Sequence, residues 1–198
     1  LPEQRRGGDA RMVASRAVDD HRQGHAVGLL GLGHEAVGRR VGRPHDVGGR
    51  RRVGDEEIEL VVAIGKGGTD IPTSMALEHI YGYAVGIDLT RRDLQLAARD
   101  KGRPWDSGKG FDRSAPTTAI HLAGALGHPS SGAIWLEVNG EVRQRADIAE
   151  LIWSVPEVIA HLSKLYTLQP GDLIFTGTPA GVGPILRGDK VRGCVEGL

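Results

Sequence analysis

The run E-I-E-L-V-V at residues 57–62 alternates acidic and apolar side chains at its start, and this alternation constrains the local fold strongly. Side chains at positions i and i+2 of an extended strand point to the same face. Glu57 and Glu59 would therefore project side by side, while Ile58 and Leu60 point the opposite way. The pattern predicts a strand with one apolar face and one face that carries two carboxylates.

A third carboxylate, Asp88, ends the strand-like run at residues 83–88. Neighbouring carboxylates repel one another unless a positive charge lies among them, and oxygen-only ligands suit Mg²⁺, Mn²⁺ or Ca²⁺. Acidic pairs on a strand are also common on a solvated surface. The residues by themselves leave two interpretations open, a site for a hard metal ion and a solvated acidic face.

Chain length and charge exclude several classes of partner. The 198 residues suit one domain, with or without an appendage. The formal net charge of zero gives no electrostatic footprint for nucleic acid. The apolar runs are shorter than a membrane span, and no basic-then-apolar leader opens the chain. The single cysteine, Cys194, cannot form an internal disulfide, which favours a reducing compartment such as the cytoplasm. We therefore expect neither a nucleic acid nor a membrane as partner.

The chain divides into two parts of unlike composition. Residues 1–54 hold eleven Arg and eleven Gly but no Ile, Phe, Trp, Tyr, Lys, Asn, Thr or Cys. All eight missing types occur from Ile58 onward. A glycine-rich segment without apolar periodicity gains little burial to offset the entropy of ordering. The composition of residues 1–54 is that of a disordered arm or of an out-of-frame translation, and residues 55–198 are expected to form the folded domain.

Turn and capping signals in residues 55–198 predict short strands mixed with a few helices. Asn139-Gly140 is a strong hairpin signal, and Ser154 with Glu157 forms a capping box at the start of a helix. On that helix, one face would carry Val158, Ile159, Leu162 and Leu165. The other predicted strands cover residues 57–64, 83–88 and 173–176, and the other predicted helices cover residues 70–79 and 92–101.

Several further side chains could contact an anionic ligand. The threonine- and glycine-rich loop at residues 176–184 can offer backbone N–H groups and hydroxyls, although it also suits a tight structural turn. Arg92, Gln95 and Lys109 supply guanidinium, amide and ammonium donors, although such side chains are more often solvated. Neither a nucleophile-elbow motif nor a zinc-protease motif occurs in the sequence.

These motifs taken together resemble those of the fumarylacetoacetate hydrolase family, from about residue 56 to residue 198. Within that family, residues 97–106 are most similar to the acylpyruvase-type members, which include the bacterial fumarylpyruvate hydrolases of gentisate breakdown. The motifs that carry the resemblance are E-x-E-L at 57–60, G-I-D-L-T-R-R-D-L-Q at 86–95, K-G-R-P-W at 101–105, G-K-G-F at 108–111, V-N-G-E at 138–141 with Gln144, L-I-W-S-V-P at 151–156 and T-G-T-P-A-G-V-G-P at 176–184.

The resemblance implies an α+β, mainly β fold, a mixed β-sandwich roll that usually forms homodimers. It implies hydrolysis of the C–C bond of a 2,4-dioxo acid, such as fumarylpyruvate or a related acylpyruvate, to pyruvate and a carboxylic acid. The implied roles of individual residues are Mg²⁺ or Mn²⁺ binding by Glu57, Glu59 and Asp88, stabilisation of developing charge by Lys109, and substrate binding by Arg92, Gln95 and Thr178.

The chain also departs from the family pattern. Family members carry a histidine and a glutamate before the E-x-E motif, on a lid that activates the attacking water. Asp20-His21 is only a partial match, because Gly24 stands where the acid is expected. No general base is therefore assigned. The family usually adds a closing strand after Leu198, so an unpaired sheet edge is expected.

Two alternative functions remain compatible with a missing lid. The first is metal-dependent decarboxylation of oxaloacetate, which needs an electron-withdrawing ion but no activated water. The second is an inert fragment that lacks the catalytic lid.

Overall fold

The computed structural model describes the backbone of residues 16–19, 26–30, 46–47 and 50–198, and the side chains from Arg52 onward. The strands are β1 Arg16–Asp19, β2 Ala26–Leu30, β3 Asp46–Val47, β4 Arg50–Glu56, β5 Ile58–Ile64, β6 Ile80–Ile87, β7 His121–Leu122, β8 Ala133–Val138, β9 Glu141–Asp147, β10 Leu173–Phe175, β11 Gly183–Leu186 and β12 Val191–Val195. The α-helices are α1 Arg92–Arg99, α2 Asp106–Lys109, α3 Ala123–Leu126 and α4 Val155–Leu165, and 3-10 helices cover Thr73–His79 and Ile148–Glu150.

Three antiparallel sheets organise the described part of the chain. The largest has six strands in the order β1-β2-β10-β5-β6-β7. Two three-stranded sheets have the orders β11-β4-β3 and β12-β8-β9. This architecture confirms the prediction of a mainly β, α+β fold. Among the described residues, no helix is long and apolar enough to cross a membrane.

The central strand β5 is buried on both faces, which fixes the orientation of its side chains. Ile58 and Leu60 lie in the main core with Leu136 of β8 and Ile159 of α4. Val61 packs on the other face, in a smaller cluster. The predicted separation of apolar and acidic side chains at the start of this strand is confirmed, since the core holds Ile58 and Leu60 away from the neighbouring acids.

Local sequence signals predicted the types of these elements, but not all of their ends. The helix predicted at residues 70–79, for example, begins at Thr73 and is a 3-10 helix. Asn139 and Gly140 have φ of 54° and 85°, as a hairpin turn with two left-handed residues requires. The Glu157 carboxylate accepts hydrogen bonds from the Ser154 backbone N–H at 2.8 Å and from its hydroxyl at 2.7 Å, as the capping box predicts. Leu165 shares the helical spacing of that face, but it is the last residue of α4 and 53% exposed, so the buried apolar part of the face ends at Leu162.

The segment at residues 1–54 was predicted to differ from the folded domain, and most of that segment lies outside the described residues. The described stretches within it form strands. Strand β2 pairs with β10, and β4, which runs across residue 54, pairs with β11. The identity of residues 1–54 as an arm or as out-of-frame sequence stays a prediction.

Candidate functional site

Three carboxylates converge at the end of the β5–β6 ladder. Glu57 lies in the link between β4 and β5, Glu59 lies in β5, and Asp88 directly follows β6. Glu59 is opposite Gly86, and the Asp88 N–H donates to the Glu57 carbonyl at 2.8 Å. This register brings one carboxylate oxygen from each acid within 4.8 Å of the others. Glu57 and Glu59 are buried and Asp88 is half-buried, which argues against a solvated acidic face.

A lysine ammonium lies among these acids. Lys109, the last residue of α2, donates from Nζ to Glu57 Oε2 at 2.6 Å and to Asp88 Oδ2 at 2.7 Å. The third contact of Nζ is the Thr90 hydroxyl at 2.7 Å. Lys109 is only 7% exposed, and Thr90 is fully buried. The lysine therefore has a fixed position instead of the solvated one that its residue type usually takes.

The electrostatics of the site favour an additional cation. Burial raises the pKa of Glu59 well above its usual range, and the charges of Asp88 and Glu57 raise it further. Burial also raises the pKa of Asp88 to about 6, although Lys109 opposes the shift. Burial disfavours the Lys109 ammonium, but the Asp88 and Glu57 carboxylates outweigh this effect and its pKa is raised. Three carboxylates that are difficult to ionise at the same time suit a divalent ion, because such an ion compensates their charge and prefers oxygen ligands. Glu57, Glu59 and Asp88 could hold it.

An arginine-centred network supports one side of the cluster. Arg92, at the start of α1, donates from Nη2 to Glu57 Oε1 at 2.6 Å and from Nε to Asp55 Oδ2 at 2.9 Å. Its Nη1 donates to Gln95 Oε1, one helical turn along. Asp55 also pairs with Arg52. Because Gln95 accepts through its carbonyl oxygen, its NH₂ group is the part of the amide left to donate to a ligand.

The loop at residues 176–184 contacts a different acid of the cluster. The Gly177 N–H donates to Glu59 Oε2 at 2.7 Å, so the loop directly contacts one of the three acids. Thr178 follows at once and is half-buried. Its hydroxyl accepts a hydrogen bond from Gln144 Nε2 at 2.8 Å. The loop is therefore attached to both the acidic cluster and strand β9.

The structure brings the seven sequence-predicted residues into one connected region: Glu57, Glu59, Asp88, Lys109, Arg92, Gln95 and Thr178. Sequence reasoning missed Asp55, Thr90 and Gln144 as members of it. The acidic alternation in fact begins at Asp55, two residues before Glu57, and could have identified that residue. Thr90 and Gln144 occur in the quoted motifs, but spacing alone gave them no role. Asp20 and His21, the partial match to a lid, lie outside the described residues.

Comparison with known proteins adds a family match to this geometry. The family model for the fumarylacetoacetate (FAA) hydrolase C-terminal region matches residues 18–198. A fumarylpyruvate hydrolase of Ralstonia sp is 54% identical over 143 residues, which are 72% of this chain and 73% of the relative. A mitochondrial oxaloacetate tautomerase of Mus musculus is 42% identical over 142 residues, which are 72% of this chain and 64% of the relative.

Solved structures give the same result. The fumarylpyruvate hydrolase of Pseudomonas aeruginosa in complex with Mn²⁺ and pyruvate is 58% identical, with a TM-score of 0.72. The match covers 73% of this chain and 62% of that one. The fumarylpyruvate hydrolase-like structure from Burkholderia cenocepacia is 59% identical with a TM-score of 0.71, covering 72% of this chain and 64% of that one. The chain thus spans roughly two thirds of the length of several of these relatives.

Proposed function

The chain belongs to the fumarylacetoacetate hydrolase family, and from this membership we propose that it contributes the catalytic domain of a divalent-metal-dependent hydrolase. The proposed reaction cleaves the C–C bond of a 2,4-dioxo acid, with fumarylpyruvate as the substrate, and yields fumarate and pyruvate. The similarity to fumarylpyruvate hydrolases supports this choice of substrate.

One observation carries the proposal. Three carboxylate oxygens lie within 4.8 Å of one another, and Lys109 Nζ lies within 2.7 Å of two of these acids. A buried cluster of this kind costs stability unless cations compensate it. Buried titratable groups with raised pKa values, as found for Glu59 and Asp88, cluster at functional sites.

Glu57, Glu59 and Asp88 would hold Mg²⁺ or Mn²⁺ in this proposal. When bound, the ion would supply Lewis acidity toward the oxygens of the dioxo acid. Lys109 keeps a second positive charge among these acids. Its three N–H groups are used by Glu57, Asp88 and Thr90. Its charge can still stabilise negative charge that develops on the substrate, in a site where water screens it little.

Substrate orientation is assigned to the residues on both sides of the cluster. Arg92 keeps two N–H groups beyond the three that bond Asp55, Glu57 and Gln95. These groups and the Gln95 NH₂ are the donors proposed to contact the substrate on one side. Thr178 is proposed to hold the carboxylate end on the other side. The water-activating base has no candidate among the described residues, so the hydrolytic step needs a group from outside them.

A substrate comparison tests the proposal. The full chain with Mg²⁺ or Mn²⁺ is incubated with fumarylpyruvate and, separately, with oxaloacetate. Formation of equal amounts of fumarate and pyruvate supports the hydrolase. If a metal-saturated, folded protein leaves fumarylpyruvate intact while oxaloacetate reacts, the hydrolase proposal is wrong for this chain. If neither substrate reacts, the protein is an inert fragment.

A second candidate function is a reaction of oxaloacetate. The oxaloacetate tautomerase relatives favour it, as does the lack of a water-activating base among the described residues. Decarboxylation would release CO₂, whereas tautomerisation would change the ultraviolet absorbance of the enol without CO₂. Measuring both signals on one sample separates the two reactions.

Three wider properties are proposed, two of them on the resemblance and the cytoplasmic location on the single cysteine. The protein would act as a homodimer, in the cytoplasm, in gentisate breakdown, and light scattering tests the first of these. We also keep the proposal that residues 1–54 are an unlike arm or out-of-frame sequence joined to the domain at residues 55–198. Mass spectrometry of the natural protein's N-terminal region tests it.

A further inference from the structure

Gln144 is the one glutamine of strand β9, and its side chain is completely buried. Its Oε1 accepts a hydrogen bond from the Ile58 N–H at 3.0 Å. Its Nε2 donates to the Thr178 hydroxyl at 2.8 Å and to the Pro179 carbonyl at 2.7 Å. One amide therefore bridges the backbone between Glu57 and Glu59 and the loop proposed to hold the substrate.

The backbone around Gln144 gives this bridge a fixed position. The β8–β9 register changes between Leu136, which is opposite Gln144, and Glu137. Such a bulge redirects the side chains beside it. The loop packs directly on β9 here, because a Cβ added at Gly181 would lie 2.0 Å from the Arg143 carbonyl oxygen. The amide lies between two backbones that are themselves held in place.

The direction of the hydrogen bonds has a chemical consequence for Thr178. Because Ile58 donates to Oε1, the Gln144 NH₂ group faces the loop, and both of its hydrogens are used there. Thr178 Oγ1 accepts one of them. The hydroxyl hydrogen of Thr178 must then point away from Gln144 and can donate to an external acceptor. A hydroxyl with this orientation favours an anionic oxygen over a neutral donor group.

We propose that Gln144 is a positioning residue that orients the Thr178 hydroxyl as a donor to the substrate carboxylate. Its Oε1 contact ties that donor to the strand that carries Glu57 and Glu59. Gln144 therefore helps to set the separation between the metal ligands and the carboxylate donor, together with the Gly177 N–H contact to Glu59. This inference rests on the proposed function, since that function assigns Thr178 to the carboxylate.

Binding of pyruvate and of pyruvamide to the Mn²⁺-loaded full chain tests the inference. Pyruvate carries a carboxylate, whereas pyruvamide carries a neutral amide with N–H donors in its place. Calorimetry would compare the wild type, Gln144→Met, Thr178→Val and the double variant. Each single substitution should raise the dissociation constant of pyruvate by about tenfold, the effect of losing one charge-assisted hydrogen bond. The dissociation constant of pyruvamide should change far less. Gln169→Glu, at an exposed glutamine, is the control and should bind like the wild type.

The double variant distinguishes orientation from general packing. Without the Thr178 hydroxyl there is nothing to orient, so adding Gln144→Met to Thr178→Val should cause little further loss of pyruvate affinity. If the double variant instead loses pyruvate affinity by the product of the two single losses, the inference is wrong. If Thr178→Val weakens the binding of both ligands equally, or of neither, Thr178 does not hold the carboxylate, and that part of the proposed function is wrong. Gln144→Asn keeps an amide that is too short to bridge both partners, and it should reproduce the pyruvate-selective loss if Gln144→Met does not fold.

Discussion

Lys109 Nζ donates to Glu57 Oε2 over 2.6 Å, and both side chains are more than nine-tenths buried. Burying two opposite charges is costly even when they pair. The same carboxyl group also contacts Arg92 through its other oxygen. Glu57 is therefore fixed by two cations, one from each of two short helices.

Glu59→Gln should abolish most Mn²⁺ binding and, with it, activity. The amide keeps the size of the side chain and can still accept from the Gly177 N–H, but it removes one of the three anionic ligands. We expect the Mn²⁺ dissociation constant to rise by at least about tenfold. Calorimetry on chelator-treated protein measures it. Glu78→Gln, at an exposed glutamate, is the matched control, and equal Mn²⁺ affinity in both variants would contradict the assignment.

Lys109→Met should separate stability from turnover. In the metal-free protein, the loss of a buried cation leaves Glu57 and Asp88 less compensated, and we expect a cost of about 3 kcal/mol in the free energy of unfolding. Mn²⁺ should restore most of that stability by replacing the lost charge. Turnover in the loaded protein should still fall by about a hundredfold or more, since the positive charge that stabilises developing negative charge is gone. Thermal unfolding with and without Mn²⁺, with steady-state rates, measures both. Unchanged turnover would reduce Lys109 to a structural residue.

The stabilising effect of the metal should increase with pH. Burial raises the pKa of Asp88 from 3.8 to about 6, and the pKa of Glu59 is also raised. An acid with a raised folded-state pKa favours the metal-free fold below its unfolded-state pKa, and this stability is lost as pH rises through the folded-state pKa. Protons and a divalent ion compete for these oxygens. The Tm difference between Mn²⁺ and EDTA samples should therefore be larger at pH 7.5 than at pH 5.5. An equal difference at both pH values would contradict this linkage.

The acidic cluster could be predicted from the sequence because it depends on two local regularities, the alternation of side chains along a strand and the pairing of neighbouring strands. The i, i+2 spacing places Glu57 and Glu59 on one face, and an acid at the end of the next strand needs only antiparallel pairing to join them. Gln144 could not be placed in the same way. Its function depends on the β8–β9 bulge and on a loop more than thirty residues away, and neither follows from periodicity. The end of the core could not be predicted either, because Leu165 has the helical spacing of the buried face but lies one turn beyond the last buried leucine, Leu162.

Arg92→Lys should reveal whether Arg92 positions a metal ligand or contacts substrate. A lysine cannot reach Asp55, Glu57 and Gln95 at once, because it lacks the planar fork of donors. If positioning of Glu57 dominates, the Mn²⁺ dissociation constant should rise by several-fold. If substrate orientation dominates, KM should rise while Mn²⁺ affinity stays close to that of the wild type. We expect both effects together, with the larger one on KM. Arg99→Lys is the control, since Arg99 lies on the same helix and forms its one ion pair within the described residues with exposed Asp100. If Arg92→Lys has a wild-type KM and a wild-type Mn²⁺ dissociation constant, Arg92 neither positions Glu57 nor contacts the substrate.

Gly181→Ala should displace the loop that carries Thr178. The residue has φ of +101°, where a side chain is strained. Its added Cβ would lie 2.0 Å from the Arg143 carbonyl oxygen, which is backbone and cannot rotate away. We expect a loss of about 2 to 3 kcal/mol in the free energy of unfolding. Pyruvate affinity should fall as well, because the loop can no longer pack against β9 beside Gln144.

Gly127→Ala is the control that separates strain from collision. Gly127 also has a positive φ, of 81°, but an added Cβ would meet nothing within 4 Å. At its φ of 81° and ψ of −157°, backbone strain alone should cost about 1 to 2 kcal/mol, less than strain and collision together, and pyruvate affinity should stay unchanged. Chemical denaturation and pyruvate calorimetry on the two variants give the comparison. Equal stability losses, with pyruvate affinity intact in Gly181→Ala, would mean that the loop keeps its position without the close approach. The contact between Gly181 and β9 would then have no part in placing Thr178.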